Sequence, residues 1–372
     1  MNKDTTVRDI YASNTPAHET ILSSTQNRNG STMQAIRVES FVSDASTLEP
    51  TQVPIPQPTT NEYLVRVTHC SPQHADILHA QGTHQNVNAK KGNVHPPFVL
   101  GYDFAGTIEQ ATQDGTLQKG DRVFGASIGA FAEYVTVKAN HVRKIPDAVS
   151  SKVACAISGQ AVSYAAVVHV AKVKRGETVL VSGASGGLGS ACCMVAKALG
   201  ARVIALAGDE RKAADMRRDM DVDLVVVASE HDAWTQEVLN FTKGKGVDAV
   251  LDNTGMVNQA IRCVAYGGTI VILGFAARHG VMEEVKMNRL LLKGITLVGY
   301  RFGESGRRFP QELEEIWDGY LRMLTEGKLQ PLLYGQYDGL ESVGRALKDL
   351  ADRKVYGKIV VTVSPLPGRS RL

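Results

Sequence analysis

Residues 178–200 read TVLVSGASGGLGSACCMVAKALG, and the small residues in the middle are spaced to receive an anion. Apolar residues run up to Gly183; Ala184, Ser185, Gly186, Gly187, Leu188 and Gly189 follow, and then a helical pattern begins. This is a G-x-G-x-x-G loop in which Ala184 takes the place of the first glycine. Gly186 lets a pyrophosphate approach the backbone, and Gly189 lets the helix pack close to the strand. The start of the helix adds unpaired N–H groups and the positive end of its dipole. With Ser185, Gly187 and Leu188, these residues form a candidate site for the phosphates of a dinucleotide.

The next strand pattern, ARVIALA, ends at Ala207 and leaves empty the slot where an acid binds the ribose hydroxyls of NAD. GDERK follows. Arg211 and Lys212 can pair there with the 2′-phosphate of NADP, while Asp209 would repel it; the plain alternative is a solvated first helical turn. The pattern favours NADP(H) and leaves NAD(H) open.

A loop of this kind needs a sheet behind it. After about residue 160, the apolar runs TVLVSG, ARVIALA, DLVVVAS, DAVLDN, GTIVILG and GITLVGY alternate with amphipathic helical segments. That rhythm predicts an α/β fold, a doubly wound parallel sheet of Rossmann type covered on both faces. Before it, MQAIRVESF, EYLVRVTHC, PFVLGYDFAGTIEQ, DRVFGAS and AFAEYVTV are separated by Gly, Pro, Asn and Asp turns, which predicts a barrel-like β-rich domain. PQELEEIWDGYLRMLTEG, LESVGRALKDLADR and the strand GKIVVTV are expected to return to that domain, because six strands already complete the sheet. The expected division is 33–158, 159–300 and 301–364, between tails 1–32 and 365–372.

A chain of 372 residues is too long for one ordinary core. Its 43% hydrophobic and 21% charged residues are those of an ordinary globular protein. A net charge of +3 without basic–aromatic clusters argues against nucleic acid, and no apolar run is long enough to span a bilayer. The five cysteines are scattered and lack C-x-x-C spacing, as expected of buried thiols in a reducing compartment. Residues 1–32 mix acids with bases, so they read as a disordered tail and not a transit peptide. Ser370-Arg371-Leu372 is a variant of the S-K-L address, which makes cytoplasm or peroxisome the expected location.

PFVLGYDFAGTI, KGDRVFG, GASGGLG, GVDAVLDNTG, GGTIVILGFAA, LLLKGITLVGY and GKIVVTV together resemble the medium-chain dehydrogenase/reductase superfamily. Within it, the chain is similar to the zinc-independent quinone oxidoreductase (zeta-crystallin-like) and enoyl reductase branches, over residues 33–363. The resemblance implies a GroES-like catalytic domain, NAD(P)H as hydride donor, a small electrophilic substrate, and a homodimer paired along the edge of the sixth strand. Zinc-dependent members hold their metal with the Cys of a C-x-x-D segment, the His of a G-H-E segment and a later Cys. Here Gln73-His74-Ala75-Asp76 puts Gln73 in the first slot, Gly101-Tyr102-Asp103 puts Tyr102 in the second, and Ser158 stands in the third. Gln, Tyr and Ser are not a catalytic zinc set, so no metal ligand is assigned.

Without a Lewis acid, the implied reaction is hydride donation to an already electron-poor carbon, in a quinone or an α,β-unsaturated carbonyl. The catalytic candidates are Tyr102, His84 and Gln73. Tyr102 either donates to the acceptor oxygen or packs as a plain aromatic. His84 ends Gln81-Gly82-Thr83-His84, where enoyl reductases carry a proton-donating tyrosine, and is either a donor or a loop histidine. Among residues that read the 2′-phosphate in quinone oxidoreductases only Lys212 matches; Asp209 and Ala228 differ. Asn253, Thr254, Gly274, Phe275 and Lys358 match positions lining the nicotinamide end. The rivals are a zinc-less carbonyl reductase or alcohol dehydrogenase, and a catalytically silent NADPH-binding protein.

Overall fold

The structure is a computed structural model that describes residues 31–84, 94–112, 115–228, 233–276 and 283–363. The tails expected at 1–32 and 365–372, with the terminal tripeptide, lie outside the described residues apart from Ser31 and Thr32. Among the described residues, no single helix is long and apolar enough to cross a membrane.

Six parallel strands form one sheet in the order Leu224–Val227, Arg202–Ala207, Thr178–Val181, Val247–Asp252, Val264–Ile272 and Thr296–Gly299. In chain order this is 3-2-1-4-5-6, the doubly wound arrangement. The inner strands are buried along nearly their whole length, which is why they read as unbroken apolar runs rather than alternating ones. The order reverses between Thr178–Val181 and Val247–Asp252, and a ligand crevice opens at the carboxyl ends of strands at such a point.

A second, mostly antiparallel sheet takes Glu62–Ser71, Asp103–Gln110, Arg122–Ala126, Tyr134–Lys138 and Val142–Lys144 from the first half of the chain. Tyr337–Asp338 and Val361–Thr362 return from the far end, the latter pairing with Cys70 and His69. The GKIVVTV run is mostly irregular: its only strand is Val361–Thr362, and Lys358 sits before it in an isolated bridge to Leu333.

The two halves share one core. Ala105 and Phe124 of the β-rich sheet lie in the same buried cluster as Val179 and Val181 of the parallel sheet and Trp317 and Tyr320 of the helix Pro310–Thr325. Gln160 ties this junction together. Its Oε1 accepts from Tyr320 Oη at 3.0 Å, and its Nε2 donates to Gly187 O at 3.1 Å.

Candidate active site

The glycine loop lies at the carboxyl end of Thr178–Val181 and opens the helix Gly187–Ala198. A Cβ on Gly189 would stand 2.2 Å from Gly183 O, so only glycine allows the helix to come this close to the strand. Gly186 differs. A Cβ there would meet nothing nearer than Gly183 O at 3.5 Å, so no internal packing demands glycine, and the bare backbone leaves room for a phosphate to approach. The far end of the chain pins the loop: Gly357 N donates to Ser185 O at 2.8 Å, and the Lys358 stem lies against Gly187.

Strand Arg202–Ala207 ends where expected, and Gly208 has open space around it. Asp209 caps the next helix, Glu210–Asp219, its Oδ1 accepting from Lys212 N at 2.8 Å. That explains an acid here without a ligand. Arg211 is exposed, and Lys212 is half-buried. Burial lowers the Lys212 pKa, Asp209 opposes this, and the positive charges of Arg211 and Arg353 add to the lowering. Arg353 therefore stands near Lys212, from a segment distant in sequence.

At the switch point, Asp252 is fully buried and orders the loop after its strand. Its Oδ1 accepts from Ser182 Oγ at 2.7 Å and from the Thr254 and Gly255 N–H groups at 3.0 Å, and its Oδ2 from Met256 N at 2.7 Å. Asn253 Nδ2 donates to Ser182 O at 2.9 Å, while its Oδ1 is buried without a partner among the described residues. Gly274 lies against the Asn253 carbonyl, and Phe275 is exposed. An open glycine cradle, a helix start and an orphaned amide oxygen at one crevice fit a dinucleotide.

The β-rich side faces this crevice with a cluster of polar groups. Tyr102 follows Gly101, whose φ of +96° and close approach to the Phe131 ring demand glycine. Burial, and then Asp76, push the Tyr102 hydroxyl up to about 12, so it is a neutral phenol near pH 7. Its ring lies 5.1 Å from that of His79, which stacks on His84 at 4.0 Å. Burial lowers His79 to about 4; burial and the Arg301 charge lower His84. Asp76, on the helix His74–Ala80, accepts from Gln73 N at 2.8 Å and is fully buried. Burial pushes it up to about 8, with Asp103 adding to the rise and Gln73 N–H and Lys358 opposing it.

Lys358 belongs to this side. Its Nζ pairs with Asp103 Oδ2 at 3.0 Å, both side chains being at most 9% exposed. The ammonium is thus held by the residue after Tyr102, while its stem lies against Gly187 of the glycine loop. Ser158 donates within its own surroundings, to Ala154 O or Phe104 O at 3.2 Å. Gln73, Tyr102 and Ser158 supply no thiolate, imidazole or carboxylate, so these residues do not fit a catalytic zinc.

The fold therefore brings Tyr102 and His84 to the same ring, that of His79. It puts Gln73 beside them through Asp76 and leaves Phe275 and Arg211 on exposed flanks. Sequence reasoning missed Asp76, His79, Arg301 and Arg353 as site residues. An acid and a histidine three apart, DILH, gave a helical-face signal for the first two; nothing local marks the others.

Comparison with known proteins finds two family models along the chain. Residues 59–147 match the alcohol dehydrogenase GroES-like domain, and residues 187–318 match the zinc-binding dehydrogenase domain. Quinone oxidoreductase-like protein 2 of Bos taurus is 31% identical over 317 residues, spanning 82% of this chain and 85% of its own length. A probable oxidoreductase from Mycobacterium abscessus superposes with a TM-score of 0.79 at 31% identity, over 89% of this chain and 99% of that one. A mycobacterial protein solved in complex with NADPH superposes with a TM-score of 0.76 at 28% identity, over 89% and 99%.

Proposed function

Because the chain belongs to the medium-chain dehydrogenase/reductase superfamily, in its quinone oxidoreductase branch, we propose that it is a zinc-independent, NADPH-dependent reductase of a quinone or an α,β-unsaturated carbonyl. The observation that carries this reading is Tyr102, a half-buried neutral phenol in a slot that zinc relatives give to a metal ligand. Its O–H can donate to the acceptor oxygen as negative charge develops there, the task a metal would otherwise perform.

The N–H groups of 186–189 would hold the pyrophosphate, Lys212 and Arg353 the 2′-phosphate, and Asn253, Thr254, Gly274 and Phe275 the nicotinamide end. Bound there, the reduced nicotinamide supplies the hydride. The protein's part is to fix the acceptor against it, exclude water, and place the Tyr102 proton. His84, half-buried and kept neutral by burial and Arg301, is the weaker donor near pH 7.

A homodimer is part of the same reading. Among the described residues Thr296–Gly299 pairs on one side only, and the helix Met287–Lys293 before it buries none of its residues despite three consecutive leucines. Leu291 and Leu292 are 81% and 73% exposed, and nearby Tyr266 is 83% exposed. A second copy joined along this edge would cover them.

The test is NADPH oxidation followed by absorbance, with 1,4-naphthoquinone, an enone and crotonyl-CoA as acceptors. Turnover with one of them is expected; tight NADPH binding with no turnover on any would leave a silent nucleotide-binding protein.

A further inference from the structure

Two buried polar atoms behind Tyr102 have no partner among the described residues: Asp76 Oδ1 and His79 Nδ1. They stand three residues apart on the helix His74–Ala80, and so on one face of it. Asp76 is fully buried and His79 is 4% exposed. The other Asp76 oxygen is engaged by Gln73 N–H, and one face of the His79 ring is covered by His84. A buried group without a hydrogen bond loses its hydration for no return. Two of them on one face, beside the same tyrosine, point to a shared ligand with both a donor and an acceptor, which is the chemistry of water.

We propose that Asp76 and His79 are a proton-supply pair for Tyr102: a water held between Asp76 Oδ1, His79 Nδ1 and the Tyr102 hydroxyl returns the proton that Tyr102 gives to the acceptor. The proposal rests on Tyr102 being the donor. An acceptor that has taken a hydride carries the added electron pair as negative charge on its oxygen. The Tyr102 O–H bond breaks, an O–H bond forms on the acceptor, and a tyrosinate remains. The tyrosinate takes a proton from the water while Asp76 Oδ1–H gives its own to that water, leaving a carboxylate. One solvent proton, entering past half-buried His84, restores Asp76. Each turnover thus consumes one solvent proton and moves no electrons beyond the hydride pair. His79 accepts a hydrogen bond from the water and aligns it. Both residues act through Tyr102, as positioning residues.

The surroundings suit these roles. Asp76 is faced by Gln73 N–H, Cys70, Tyr102, Asp103 and Lys358, and His79 by Tyr102 and by His84, with Arg301 beyond. Burial keeps a proton on Asp76 up to about pH 8 and keeps His79 uncharged down to about pH 4.

Infrared spectra of the cofactor-free protein test the pair directly. A protonated-carboxyl band titrating near pH 8 is expected, lost in Asp76→Asn. Its midpoint should move in His79→Phe, which keeps a ring against His84 but removes Nδ1. Absence of the band at neutral pH, or an unmoved midpoint in His79→Phe, overturns the proposal. With NADPH and 1,4-naphthoquinone, Asp76→Asn is expected to lower kcat by about 10–100-fold and raise the solvent deuterium isotope effect. Its first-turnover hydride transfer should stay fast, because Tyr102 starts with its own proton. Wild-type kcat and isotope effect in both variants would remove the pair alone, whereas wild-type turnover in Tyr102→Phe would remove the donor reading beneath it.

Discussion

Tyr102 and Asp76 carry opposite consequences of the same burial. For Tyr102, a raised pKa keeps the proton where it is useful, and Tyr102→Phe is expected to cut kcat by about 100-fold with little change in NADPH binding, measured by steady-state kinetics and fluorescence titration. For Asp76, the folded carboxyl holds its proton up to about pH 8, whereas the unfolded one loses it near the ordinary value of 3.8. The native state then binds more protons across that window, so this group makes stability fall as pH rises from about 4 to about 8. Asp76→Asn should flatten that slope and raise the urea midpoint at pH 8, by the equivalent of about 1 kcal/mol or more, with little gain at pH 4. At the ribose end, Arg353→Ala and Lys212→Ala should each weaken NADPH by roughly tenfold and leave NADH unchanged, as lost charge-assisted bonds to one phosphate would. Tyr102 and Lys212 were legible from sequence because each stands at a fixed offset within a motif. Arg353 was not, since its nearness to Lys212 is made by a chain reversal that no local pattern records.

Helix and strand types were legible where burial imposes a period. The six strands of the parallel sheet announced themselves as apolar runs because helices cover both their faces, and Pro310–Thr325 as a helix because its stripe of Ile316, Trp317, Tyr320 and Leu324 is buried in the shared core. GKIVVTV misled for the same reason. Its residues Ile359, Val360 and Val361 are buried, but only Val361 lies in a strand, Gly357 and Lys358 before them being held to the glycine loop and Asp103, and burial alone does not distinguish irregular chain from a strand. The helix that opens at Gly187 offers a sharp separation of packing from binding. Gly189→Ala must push against a backbone carbonyl and should cost about 1–3 kcal/mol of stability, read from thermal unfolding. Gly186→Ala has φ −82° and room within the fold, so it should unfold like wild type while losing NADPH affinity. Equal destabilisation of both would mean that Gly186 serves the fold and not a ligand.

Two sheets joined by one core give the protein a cleft whose walls come from distant parts of the chain: His84 meets the field of Arg301, and Lys212 that of Arg353. The exposed edge beyond Met287–Lys293 adds a further level. Replacing Leu291 and Leu292 together by Glu should convert the proposed dimer to a monomer in sedimentation velocity without unfolding it, since neither is buried within one copy. The closing contacts of the β-rich half span the greatest distances in sequence. Ser71 Oγ donates to Ile359 O across 288 residues at 2.7 Å, and Lys358 reaches Asp103 across 255. During synthesis the whole parallel sheet leaves the ribosome before either partner exists. A nascent chain can therefore assemble its nucleotide crevice while Asp103 still lacks its cation. Translation halted before Lys358 would yield a chain with all six parallel strands but an unclosed barrel, unable to seat Tyr102, and a ready client for chaperones and proteases.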